Sequence, residues 1–105
     1  MIVTFEEEYL RELYEKGKTS DKKHRFQPEI VRKYQYCIQY LLAASCIEAL
    51  YKINALNYEV LKGDKAGICS IRVNKQYRIE FSVTDNGFEP ILTVCNILEL
   101  SNHYR

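Results

Sequence analysis

Arg72 and Arg78 lie in a stretch, residues 68–83, where apolar and polar side chains alternate. In Tyr77-Arg78-Ile79-Glu80-Phe81-Ser82-Val83 every second residue is apolar, the period of a half-buried strand. Residues 68–73 alternate less cleanly, and Asn74-Lys75-Gln76 joins the two runs. The simplest geometry is an antiparallel hairpin. One face then carries Ile71, Val73, Tyr77, Ile79 and Phe81, and the other Arg72, Arg78, Glu80 and Ser82. The polar turn Lys62-Gly63-Asp64-Lys65-Ala66-Gly67 stands just before it. A guanidinium fork pairs with two phosphate oxygens at once. Two arginines on a sheet face beside a lysine turn therefore point to a phosphate site.

The remaining chain must position that hairpin. Residues 1–5 form a short β-like run, and an amphipathic helix fits 5–16 with the stripe Phe5, Tyr9, Leu10, Leu13 and Tyr14. Thr4 and Glu7 have capping-box spacing, and Gly17 is placed to end the helix. The acidic run Glu6-Glu7-Glu8 suits the positive end of a helix better than a catalytic cluster. A polar, basic loop over 18–26 leads to Pro28, a first-turn proline. The second helix spans about 28–44, burying Ile30, Tyr34, Cys37, Ile38, Leu41 and Leu42. Tyr34, Tyr36 and Tyr40 are expected in core and helix–helix contacts. Ser45 and Glu48 repeat the capping spacing before a short helix over 46–52. Residues 57–61 read as a strand, Thr84-Asp85-Asn86-Gly87 as a turn, and 91–97 as a strand inside the sheet.

Helices followed by strands indicate an α+β fold. The expected architecture is a short N-terminal strand and a helical hairpin packed on a mainly antiparallel sheet of four to five strands. Residues 1–105 make one domain. No apolar run approaches the roughly 20 residues of a membrane span, and the start lacks the pattern of a signal peptide. A cytoplasmic location is expected. Cys37, Cys46, Cys69 and Cys95 are scattered without a CxxC pair, and His24 and His103 are far apart. They read as small buried residues in a reducing compartment, with no metal and no cofactor. The net charge of +1 excludes a polycation. Between residues 16 and 33, however, seven basic side chains face two acidic ones. Lys22, Lys23 and Arg25 in this patch could meet an RNA backbone.

The segment L-K-G-D-x-x-G-x-x-S-I-R-V-x-x-x-[WY]-R-I-x-F, here residues 61–81, resembles the central hairpin of HigB-type toxins in the RelE/ParE superfamily. With the amphipathic N-terminal half and the terminal His103-Tyr104, the resemblance covers most of the chain. It implies a compact RelE-like fold and the toxin role in a type II toxin–antitoxin system. It further implies metal-independent, ribosome-dependent cleavage of mRNA that inhibits translation. The partners implied are the ribosome, mRNA and a HigA-like helix-turn-helix antitoxin, with operator DNA bound only by the toxin–antitoxin complex. A ParE-like inhibitor of DNA gyrase, and a degenerate binding module without catalysis, are the alternatives on the same fold.

Such cleavage needs a base near the 2′-hydroxyl, cations on the nonbridging oxygens and an acid at the leaving oxygen. Arg78 matches the arginine of the [WY]-R-I-x-F motif and would stabilise phosphate charge. Lys62 matches the lysine of L-K-G-D, which the resemblance turns toward the mRNA backbone. Arg72 and Lys65 are further phosphate contacts. His103 is similar to a C-terminal family histidine that serves in proton transfer, and Tyr104 beside it could do the same with a lowered pKa. The ending Ser101-Asn102-His103-Tyr104-Arg105 differs from the family's D-Y-H. Glu59 stands where the family often has a histidine, and could replace a general base. Asn74 stands where it has a second arginine.

Overall fold

The computed structural model describes residues 1–102. Strand β1 (Ile2–Phe5) leads to helix α1 (Glu8–Lys16), a 3₁₀ turn (Lys22–His24) and helix α2 (Pro28–Ala43). Two 3₁₀ turns, Ile47–Lys52 and Asn54–Leu56, precede the short strand β2 (Glu59–Val60). A last 3₁₀ turn, Gly63–Lys65, opens onto β3 (Cys69–Arg72), β4 (Tyr77–Asp85) and β5 (Thr93–Asn102). The five strands form one sheet in the order β1-β5-β4-β3-β2, parallel only between β1 and β5. This is the expected α+β arrangement with the helical hairpin on a mainly antiparallel sheet.

Local chemistry explains most boundaries. Gly17 takes φ +74°, and its N–H reaches the Leu13 carbonyl to close α1. Pro28 opens α2, where a missing N–H costs nothing. The Thr4–Glu7 capping box does not form, and α1 starts at Glu8. Residues 2–5 pair with β5 instead, and the Thr4 hydroxyl bonds the Asn96 side chain at 2.8 Å. The Ser45–Glu48 spacing likewise gives no side-chain cap, and the following segment is 3₁₀.

The core lies between the helices and one face of the sheet. Leu10 and Leu13 of α1 and Tyr34, Ile38 and Leu41 of α2 meet Ile71, Ile79, Phe81, Cys95, Ile97 and Leu100. Each fully buried side chain of this kind contributes about 1.5–3 kcal/mol. The buried Tyr34 hydroxyl donates to the Leu10 carbonyl at 2.7 Å, tying the two helices together. Leu42, Tyr36 and Tyr40 are exposed, contrary to expectation, because nothing among the described residues covers the outer face of α2. Cys37, Cys69 and Cys95 are buried as expected, while Cys46 is half-buried.

Two strands differ from their sequence reading. The expected strand 57–61 shrinks to Glu59–Val60, since only these two residues pair with β3. The expected strand 91–97 shifts to Thr93–Asn102 and runs on along β4. A bulge between Glu80 and Phe81 sets Phe81 opposite Ile97 but Glu80 opposite Glu99. Strict alternation from Cys95 and Ile97 would send Ser101 into the core. The extra residue reverses the parity, so Leu100 faces the core and Ser101 lies beside Arg78 on the other face. No helix among the described residues is long and apolar enough to cross a membrane.

Candidate active site

The face of the sheet away from the helices carries the polar hairpin residues. Ser70 is the register partner of Glu80, and Arg72 of Arg78. Ser101 stands beside Arg78 on the other side. The 3₁₀ turn after Lys62 brings Lys65 over this face, where its ammonium holds both Glu80 carboxylate oxygens at 3.0 and 2.9 Å. Lys62, Lys65, Arg78, Glu80, Ser101 and Asn102, with Leu61, line a pocket of about 230 Å³.

Arg78 is almost wholly buried, at 7% exposure. A buried guanidinium needs partners for its N–H groups. Its Nε donates to the Ser70 hydroxyl at 3.0 Å and its Nη2 to the Asn57 carbonyl at 3.0 Å. Nη2 also lies 3.5 Å from Glu59 Oε1. These contacts hold the fork in one orientation while its side chain still lines the pocket.

The expected site residues divide into three groups. Arg78, Lys62 and Lys65 meet in the pocket, and among the described residues Lys62 makes no ion pair. Arg72 does not point its charge there, because its Nε donates to the Asn74 carbonyl at 3.2 Å and braces the hairpin turn. Lys22, Lys23 and Arg25 do not line the pocket. Their loop is pinned elsewhere, with His24 stacked on Tyr9 at 3.6 Å and Phe26 edge-on to Tyr77 at 5.5 Å. Arg25 lines a separate cleft between α1 and α2. His103 and Tyr104 lie outside the described residues.

Asn74 works on the turn itself. Its Oδ1 accepts the N–H groups of Gln76 and Tyr77 at 2.8 and 2.7 Å. Ser70 and the Asn57 carbonyl were missed as arginine partners. Ser70 was visible as a polar residue on the Arg78 face, whereas a backbone carbonyl leaves no signal in a sequence. Among the described residues no group of three or more His, Cys, Asp or Glu side chains could hold a metal ion.

The sequence model of HigB-like toxins, the RelE-like toxin of the type II toxin–antitoxin system HigB, matches residues 3–92. The chain belongs to the HigB-like toxin family. Toxin HigB-1 of Vibrio cholerae serotype O1 (strain ATCC 39315 / El Tor Inaba N16961) is 36% identical over 86 residues, covering 81% of this chain and 86% of that protein. The solved YoeB/ParE toxin from Agrobacterium tumefaciens shares the fold, with a TM-score of 0.54 at 20% identity over 99% of this chain and 100% of that one. As a HigB-like toxin of a type II system, the protein has an antitoxin as its partner. The match through residue 92 includes Glu59, Lys62, Lys65 and Arg78, and stops before Ser101 and Asn102.

Proposed function

We propose that the toxin is a metal-independent, ribosome-dependent mRNA endonuclease acting in the cytoplasm. The observation that carries this reading is the convergence of Arg78, Lys62 and Lys65 on one small pocket beside the Glu59 carboxylate. The 2′-hydroxyl attacks the adjacent phosphorus, forming a 2′-O–P bond as the P–O5′ bond breaks. Arg78 and Lys62 stabilise the nonbridging oxygens. Glu59 accepts the 2′ proton, because a phosphate seated on Arg78 brings its neighbouring hydroxyl toward the carboxylate already beside Nη2. The 5′-oxygen takes a proton from His103, which follows the pocket residue Asn102 in sequence. Tyr104 is the second donor at that end. A HigA-like helix-turn-helix antitoxin blocks the toxin, and the complex binds operator DNA.

Primer extension on a reporter mRNA after brief induction tests the reading. Cuts within the translated frame are expected with the wild type and lost with Arg78→Ala. Arg78→Lys is expected to recover little, since an ammonium lacks the planar fork. A folded, fully toxic Arg78→Ala would overturn the assignment. Growth arrest without cuts, with induction of the DNA-damage response, would favour gyrase inhibition. Folded protein with neither effect would favour a binding module.

A further inference from the structure

A second cleft, of about 450 Å³, opens at the β2 edge of the sheet and shares a wall with the Arg78 site. Asn57 and Glu59 line it, and both are held by the Nη2 of Arg78. Opposite them stand Tyr51, Tyr58, Ile53 and Asn54. Tyr51 is 59% exposed although it is a large aromatic, and its ring lies 5.3 Å from that of Tyr58. Tyr58 is anchored from below by Phe81 and by the Cys69 thiol, 3.1 Å from its hydroxyl. The platform is therefore rigid beneath and open above. Asn57 holds φ at +44°, a left-handed conformation that asparagine tolerates better than most residues. That turn aims its carbonyl at Arg78, and Asn57 lines the cleft.

An exposed aromatic ring, two primary amides and a carboxylate around one cleft match the chemistry of a nucleobase. The base has a flat π face for stacking and a polar edge of donors and acceptors. We propose that this cleft is a nucleobase subsite. It takes the base of the nucleotide whose 3′-phosphate sits on Arg78, with Tyr51 as the stacking platform and Asn54 and Asn57 reading the edge. The inference rests on the reading of Arg78 as the phosphate-binding residue. It places the base in the cleft and the 2′-hydroxyl of the same nucleotide beside Glu59.

The test is amide-resolved NMR titration of the folded toxin with inorganic phosphate, the four 3′-nucleoside monophosphates and the free nucleosides. The nucleotides are expected to shift the Asn54 and Asn57 signals and to bind more tightly than phosphate. Tyr51→Ala is expected to weaken nucleotide binding about 10-fold while leaving phosphate binding unchanged. Tyr51 and Asn54 are exposed, so Asn54→Ala provides a second folded variant, expected to change the ranking among the four bases. Unchanged nucleotide affinity in both variants would overturn the subsite and leave the Arg78 reading standing. Nucleosides shifting the cleft while phosphate fails to bind would support the subsite and overturn the Arg78 reading.

Discussion

Arg78 and Glu59 form an unequal pair: Nη2 and Oε1 are 3.5 Å apart, yet the arginine side chain is 8% exposed and the glutamate 46%. The arginine is fixed by Ser70 and Asn57 whether or not Glu59 is in place. The carboxylate faces water on its other side, so an incoming anion that supplies the compensating charge can displace it from the buried guanidinium. In the proposed mechanism a phosphate takes over the guanidinium while Glu59 stays close enough to receive a proton.

Replacing Glu59 with glutamine separates those two roles. Inorganic phosphate is expected to bind about 2- to 5-fold more tightly, because a competing half-exposed charge is gone. Cleavage is expected to fall by about 10²–10⁴-fold, the usual contribution of a general base. Titration calorimetry and single-turnover cleavage on programmed ribosomes read the two effects. Unchanged cleavage would remove Glu59 from proton transfer.

Lys65 and Glu80 should respond asymmetrically. The Glu80 side chain is 11% exposed and that of Lys65 41%. Lys65→Met strips a buried carboxylate of its partner and is expected to cost about 1–3 kcal/mol. Glu80→Gln leaves only a mobile, hydrated ammonium unpaired and should cost less than about 1.5 kcal/mol. Urea denaturation of both variants checks the order. Equal losses would mean that the clamp does not hold the 62–67 turn on the sheet.

The thiols report on the core. Burial pushes the Cys37 thiol up to about 12 and the Cys95 thiol up to about 11. Cys69 is buried as well, with its sulfur 3.1 Å from the Tyr58 hydroxyl. A disulfide reagent at pH 8 is expected to modify Cys46 first and the other three only on unfolding. Four equally fast thiols would contradict the packing of the sheet against α2.

Tyr9 links stability to alkaline pH. Burial pushes its hydroxyl up to about 12, against a partly opposing hydrogen bond from the Leu100 backbone. The unfolded chain releases this proton near pH 10, whereas the folded chain keeps it. Its contribution is therefore complete below pH 10 and is lost as pH rises from about 10 through about 12. Tyr34, deeper in the core, is raised by burial in the same direction. Thermal unfolding followed from pH 9 to 12 should show a falling midpoint, reduced in slope by Tyr9→Phe.

The sequence alone determined the features that depend on near neighbours. Gly17 ends α1 and Pro28 begins α2 because each acts on its own backbone torsion or N–H group. The period-2 runs and the three-residue connection define the β3–β4 hairpin, and with it the polar face carrying Arg72 and Arg78. The helical stripe identified Leu10, Leu13, Ile38 and Leu41, since a 3.6-residue period marks a buried face wherever that face goes.

Tertiary structure alone decided which polar residues meet. Thr4 leaves its capping position because β1 pairs with β5, more than ninety residues away in sequence. Arg72 and Arg78 are equivalent by alternation, yet one braces Asn74 and the other gathers Ser70, Asn57 and Glu59. That difference follows from position: Arg72 adjoins the turn, while Arg78 reaches across β3 to the edge strand. The bulge opposite Glu80 and Phe81 then brings Ser101 to the site by reversing the parity of β5. A bulge depends on the partner strand's register, and no local pattern in residues 93–102 records it.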